Sequence, residues 1–493
     1  MKKVFAVILA LLLSAPAFAG CRGKNFKFDD PANGVAFQSA DLVNADFAGI
    51  GAEWDAFANP ALLTDQILDD MYKRAAYLKP GVIRCMYNMA VTVLPDGTWE
   101  PNFKTPQFMN LLRLLDFCME TGVSVAYGAW GVWGDGLNLK DFFADPEYAR
   151  ICARFTHELV NVRGYTCIKW FIGTNEPNYS SVYYINPGWD GWVNLIYNLW
   201  GAFAEYGLNQ KVRISGPDAA NHEEGDGWLV KTAQTVGDKI GNYGLHAYVT
   251  PYAIDGGMYR GYAAAAKKGI IDNDAAYKSK SKQFMLWELG LSGYTAQGHP
   301  QVGTYSYGCR SSDMTLQAIM GGVDGISWWL FDDGNHAGSS ADIAGAYGMG
   351  MYISIGDASQ YELRPWYYST AMATRAFKPH CKIYTTAVND EKDDKDRYGS
   401  FRALASVEAD GKNGHVFAVN RAETAVTKTF AVGPKITGAD TLYIYIYSEN
   451  DMRLDSEGWL LPNYTLQNAS LNKPLTVVLP PQSVLLVTTQ EIK

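Results

Sequence analysis

One pattern constrains this chain more than any other. Between about residues 46 and 376 a short apolar run is followed by a helical run, and the pair recurs eight times. Phe47–Glu53 reads as the first strand. Asn59-Pro60 opens a helix, with Asn as cap and Pro at the first helical position. Ile67, Leu68, Met71, Tyr72, Ala75 and Leu78 give that helix one apolar face, and Pro80-Gly81 ends it. Val82–Tyr87 is the second strand. Thr105-Pro106 opens a helix that Gly122 closes, and Val123–Ala129 is the third strand. Asp145-Pro146 opens a helix to about Val162, and Ile168–Thr174 is the fourth strand. The remaining strands fit Val212–Ser215, Asn242–Tyr248, Phe284–Glu288 and Gly325–Phe331, with a last helix near Arg364–Ala376. Alternation of this kind builds a parallel sheet, and eight units of this length close it into a (β/α)8 barrel of the α/β class.

After residue 377 the helical period stops. His415–Val419, Thr441–Tyr447 and Ser483–Thr488 are short strand-like runs separated by turn-rich stretches. Residues 377–493 therefore read as a C-terminal antiparallel β-sandwich. Residues 21–45 are expected to add a strand to it, which leaves 46–376 for the barrel. The nearly all-charged run Asn389–Arg397 reads as a solvated hairpin loop.

The first twenty residues read as an export signal. Lys2 and Lys3 precede an apolar stretch, Val4–Leu13, that is too short to span a bilayer, and Ala17-Phe18-Ala19 offers a cleavage site. Phe18-Ala19-Gly20-Cys21 also resembles a bacterial lipobox, so two fates stay open: simple secretion, or a lipid anchor on Cys21. Either places the protein in the periplasm or outside the cell. A net charge of −9 with no basic stripe excludes a nucleic-acid partner. Six further cysteines are scattered without zinc spacing and read as buried thiols, with Cys152–Cys167 as the one candidate disulfide. No metal site and no cofactor is indicated. His222-Glu223-Glu224, the nearest thing to a metal cluster, reads as a solvated loop.

Two strand ends carry the chemistry. Trp170-Phe-Ile-Gly-Thr-Asn-Glu176-Pro177 is an apolar strand ending in a carboxylate, and Pro177 stops the ladder there. Phe284-Met-Leu-Trp-Glu288 ends the same way. Carboxylates at the C-terminal ends of barrel strands lie on the face where barrel active sites are built. The spacing from 176 to 288 makes three steps of about 37 residues, which sets the two glutamates on strands four and seven, facing across the mouth. Two carboxyl groups about 5–5.5 Å apart serve a retaining double displacement at a sugar's anomeric carbon, one as acid/base and the other as nucleophile.

Asn-Glu-Pro on strand four and Trp-Glu on strand seven resemble clan A glycoside hydrolases, with families 5, 30 and 39 the nearest in pattern. The resemblance implies Glu176 as acid/base and Glu288 as nucleophile. It implies that Asn175 binds the substrate 2-hydroxyl, that Arg84 supports the nucleophile, and that the His246-Ala-Tyr248 pair sits beside it. Gly325–Asp333 resembles the strand-eight segment of family 39, which would put Trp329 beneath the sugar. The trailing sandwich is similar to those of families 30 and 39. A carbohydrate, in β-linked poly- or oligosaccharides, is the substrate this implies.

Arg84 is expected to lower the pKa of the nucleophile. Glu53, Asp332 and Asp333 are further carboxylates suited to sugar hydroxyls, and Trp130, Trp133, Trp189 and Trp192 fall in or after loops three and four, where subsites form. Trp328 should point away from Trp329 and pack on a helix. Two other functions share the same residues: a transglycosylase, and a non-catalytic glycan-binding surface protein. The presence of both carboxylates argues against the latter.

Overall fold

A computed structural model describes residues 26–55, 64–179, 188–220, 222–293, 298–333, 349–354, 361–392, 398–438 and 440–492. The stretch expected to be an export signal, Cys21, the Asn59-Pro60 pair and residues 393–397 of the charged run lie outside the described residues. So do the side chains of His222, Glu223 and Glu224, whose backbone opens a helix, His222–Val236. No helix among the described residues is long and apolar enough to cross a membrane.

Eight parallel strands form a closed ring: Ile50–Glu53, Val82–Val93, Ser124–Trp133, Ile168–Ile172, Arg213–Ala219, Asn242–Val249, Gln283–Leu291 and Gly325–Trp328. Strand one pairs with both strand two and strand eight, and that double pairing closes the barrel. Strands two and three run past the expected Tyr87 and Ala129, because Val91–Val93 continues into an antiparallel pairing with Trp99–Pro101 outside the ring.

Helix boundaries follow the capping chemistry. Thr105 accepts from the Phe108 N–H, with Pro106 at the first helical position of Pro106–Thr121, and Gly122 closes that helix at φ 76°. Asp145 caps Pro146–His157 in the same way, and the turn that continues to Val162 is wider than α. The first described α-helix is Asp65–Leu78, capped by Thr64.

The barrel interior holds Val82, Met86, Ala126, Trp170, Ile172, Met285 and Trp287, a packed plug under the mouth rather than a pore. Trp328 turns outward onto Trp366 of the last helix, ring centroids 5.8 Å apart.

Two sheets make the second layer system. One has seven antiparallel strands and includes Leu42–Asn44 at an edge; the other has three. The residues ahead of the barrel therefore enter both sheets. Leu42–Asn44 pairs with Lys382–Tyr384, and Gly34–Phe37 pairs with Val426–Val432. The latter pairing is parallel, a departure from the all-antiparallel expectation.

A buried cluster ties the sandwich to the barrel. Asp313, on helix Tyr305–Met320, accepts from Arg402 Nη1 at 2.9 and 3.0 Å and from Arg421 Nη1 at 3.0 Å. Within the charged run Asn389 is buried, its side chain bonded to the backbone of Ala403 at 2.7 and 3.0 Å, so that end is not solvated. Cys85, Cys118, Cys152, Cys167, Cys309 and Cys381 are all free and buried. The Cys152–Cys167 disulfide is not formed. Cys152 is packed in the core, while Cys167 Sγ lies 3.9 Å from the Leu115 carbonyl.

Candidate active site

Six strand ends converge on one cluster with a guanidinium at its centre. Arg84, on strand two, is completely buried and reaches four acceptors. Nη1 donates to Glu53, at the end of strand one, and to Glu288 Oε1 on strand seven at 2.9 Å. Nη2 donates to Asn175 Oδ1 at 2.6 Å, just past strand four, and to Asp218 Oδ2 on strand five at 2.9 Å. Strand six supplies His246 and Tyr248.

Glu288 is held on both oxygens. Arg84 takes Oε1, and the Tyr248 hydroxyl donates to Oε2 at 2.7 Å. Tyr248 fits because residue 290 is glycine: a Cβ there would lie 2.7 Å from the Tyr248 ring. Glu176 is less buried, its side chain 23% exposed towards the mouth, and His246 Nδ1 lies 2.8 Å from its Oε1. One carboxylate oxygen of Glu176, one of Glu288 and a ring nitrogen of His246 all lie within 4.8 Å of one another.

His246 is fully enclosed by acids. Nε2 is 3.1 Å from Asp218 Oδ1, and Nδ1 is 3.4 Å from Glu288 Oε2. Burial alone would push the imidazole pKa down, but Glu288, Asp218 and Glu176 together hold it up at about 10. His246 is thus an imidazolium with a proton on each nitrogen, and it has no lone pair for a metal ion. The Glu176–His246–Glu288 cluster does not fit a metal centre in this state.

Burial raises the Glu288 carboxyl above its ordinary value despite His246 and Arg84 pulling it down. The expectation that Arg84 would leave the nucleophile depressed is corrected on that point, because desolvation outweighs the two cations. Asp218 goes the other way: burial would raise it, and Arg84 and His246 hold it below the usual carboxylate range.

The aromatic wall is built on strands three and eight. Trp329 packs with Leu330 and Met349, against Trp130 and Tyr248. Trp130 stands edge-on to Trp329, centroids 6.5 Å apart at 87°, and covers Arg84 at 5.7 Å. Its indole N–H donates to Asp55 Oδ2 at 2.7 Å, and Asp55 Oδ1 accepts from the Met86 N–H at 2.7 Å.

Every residue expected at the site, Glu176, Glu288, Asn175, Arg84, His246, Tyr248 and Trp329, lies in this cluster or its wall. Two carboxylates were missed. Asp218 follows Gly216-Pro217 at the end of strand five, where the strand-end reasoning applied to Glu176 would have found it. Asp55 lies two residues beyond strand one, and only its position could have flagged it.

Other expectations fail. Glu53 is buried beneath Arg84, out of reach of a sugar. Asp333 accepts from Arg364 through both oxygens, at 2.6 and 2.9 Å, and from the Gly350 N–H at 2.9 Å. Its acceptors are taken up by the chain itself. Asp332 is buried too. Trp189 and Trp192 pack with Trp228 between helices rather than at the mouth.

No family model and no curated protein matches the chain. Solved structures do. The chain is similar to a glycoside hydrolase family 30 subfamily 8 xylanase from Clostridium acetobutylicum, at TM-score 0.60 and 13% identity over 93% of this chain and 100% of that one. It is similar to a monomeric β-xylosidase from Caulobacter crescentus, at TM-score 0.63 and 12% identity over 92% and 99%. It is also similar to a conserved exported protein from Bacteroides fragilis, at TM-score 0.63 and 11% identity over 92% and 99%. At these identities the likeness shows a shared fold, a TIM barrel with a β-sandwich.

Proposed function

We propose that this chain is an exported retaining glycoside hydrolase acting on β-linked poly- or oligosaccharides. One observation carries the reading: a Glu176 oxygen and a Glu288 oxygen lie within 4.8 Å across the barrel mouth. That suits the retaining separation of about 5–5.5 Å and is too close for the water that an inverting enzyme seats between carboxyls about 6.5–9.5 Å apart.

In the first step a Glu288 oxygen attacks the anomeric carbon as the glycosidic C–O bond breaks, and Glu176 gives its proton to the departing oxygen. Arg84 and Tyr248 hold the Glu288 carboxylate in position, one on each oxygen. In the second step Glu176 takes a proton from water, which attacks the same carbon and releases Glu288. His246 fixes Glu176 at Oε1, leaving Oε2 for the proton. Asn175 offers its amide N–H groups to the substrate, since Arg84 occupies Oδ1. Trp329 and Trp130 give the sugar an apolar floor and side.

The xylanase and xylosidase activities named for the similar structures make β-linked xylose polymers and aryl xylosides the first substrates to try. The test is reducing-end release from xylans, β-glucans, mannans, galactans and aryl glycosides by the parent and by Glu288→Gln. Cleavage of one substrate, reduced at least about a thousandfold in the variant, is expected. Equal activity of the two proteins would overturn the assignment.

A further inference from the structure

Four carboxyl groups, Glu53, Glu176, Asp218 and Glu288, share two cations, Arg84 and His246, in one largely buried cluster. They are unequally served. Asp218 meets both cations. Glu288 meets both and the Tyr248 hydroxyl as well. Glu176 meets His246 and is open to the mouth.

Glu53 is the poorest. Its side chain is 1% exposed, one oxygen accepts from Arg84 Nη1, and Oε1 is buried with no hydrogen-bond partner. The groups facing it are Arg84 from strand two, Glu288 from strand seven, Asp55 from its own segment and Tyr248 from strand six. Two of those four are acids, one is a neutral phenol, and the single cation is shared with Glu288. An ionised carboxylate with a bare buried oxygen pays a desolvation cost that a neutral carboxyl largely avoids.

We propose that Glu53 is a proton-bearing positioning residue: it stays neutral in the resting enzyme, so that Arg84 Nη1 meets one anion, Glu288, while Nη2 serves Asp218. Burial, which raises the Glu53 carboxyl well above its ordinary value, outweighs the opposing pull of Arg84 and agrees with this. When the proton leaves, Arg84 Nη1 faces two full charges and its hold on Glu288 weakens. The consequence for catalysis rests on the hydrolase reading; the protonation state itself does not.

The test therefore begins without a sugar. A carboxyl that is neutral when folded and ionised when unfolded makes the folded state bind the extra proton. The stability it gives falls as pH rises above about 4.5, the unfolded value. Glu53→Gln keeps the neutral shape and removes that loss. Thermal unfolding of parent and variant from pH 5 to 8 should show the variant gaining on the parent by about 2 °C or more. A difference that stays constant, or moves against the variant as pH rises, would overturn the proposal.

If Glu53→Gln does not fold, carbon NMR of the 13C-glutamate-labelled parent decides in its place, with Glu288→Gln used only to identify the Glu288 signal. A glutamate carboxyl other than Glu288 that keeps its proton above pH 6 in the parent is expected, and its absence overturns the proposal. Given a substrate, kcat should fall less steeply with rising pH in Glu53→Gln than in the parent. Glu53 found ionised would leave the hydrolase reading standing, while a failed substrate panel would leave the unfolding and NMR results intact.

Discussion

The backbone N–H of Glu176 donates to the carbonyl of Asp218 at 3.1 Å, and both residues hold positive φ, 44° and 58°. Neighbouring strand ends are thus locked together in a conformation that non-glycine residues seldom take, and the strain is stored where the carboxylates must be aimed. Asp218→Asn keeps that backbone contact but removes the charge facing Arg84 and His246. Asp218→Asn should bring the His246 pKa down from about 10 and reduce kcat/KM by about a hundredfold. Nitrogen NMR of the imidazole reads the first effect and steady-state kinetics the second. An unmoved His246 would separate Asp218 from the proton chemistry.

His246 itself gives a stability prediction with a fixed sign. Its folded pKa, about 10, lies above the ordinary 6.5. The imidazolium therefore stabilises the fold fully below about pH 6.5, and that contribution is lost as pH climbs towards 10. Chemical denaturation at pH 6, 8 and 10 should show His246→Gln far less stable than the parent at pH 6. The gap should narrow steadily towards pH 10.

Asp55 should govern the aromatic wall. Burial raises its carboxyl to about 7, against the Met86 and Trp130 hydrogen bonds that would lower it. Above that pH a charged acceptor grips the Trp130 indole more firmly. Fluorescence of the parent, less that of Trp130→Phe, should change near pH 7. Asp55→Asn sets an amide donor against the indole N–H and should erase that step. It should raise KM about tenfold while changing kcat less.

At the junction of barrel and sandwich, Asp313 is the single acid between Arg402 and Arg421 in the buried cluster described above. Asp313→Ala strands the buried Arg402 without a counter-ion, while Arg421 keeps Asp255 at 2.7 Å, and should cost about 3–5 kcal/mol. Denaturant midpoints would show it. A loss under about 1 kcal/mol would mean that solvent reaches the site.

The eight strands were legible because each is a short apolar run bounded by a cap, a proline or a glycine, and Thr105, Asp145 and Gly122 act where the sequence places them. Glu176 and Glu288 were legible for a similar reason: an acid that ends an apolar strand has one place to go. The partners of Arg84 were harder. Glu53 looks as exposed in sequence as Glu176, and only the closed ring shows it lying under the guanidinium. Asp55 acts through Trp130, 75 residues away, a pairing that no local pattern encodes. Asp333 follows a strand end as Glu176 does, yet Arg364 from a later segment claims it.

The pairing of Leu42–Asn44 with Lys382–Tyr384 fixes an order of events during synthesis. Asn44 leaves the ribosome long before Ile383 exists, so the opening segment waits, unpaired, while the whole ring between them is made. The ring is a loop spliced between two halves of one sheet, and shortening the gene from its far end would strip the sheet from the beginning of the chain as well as from its end.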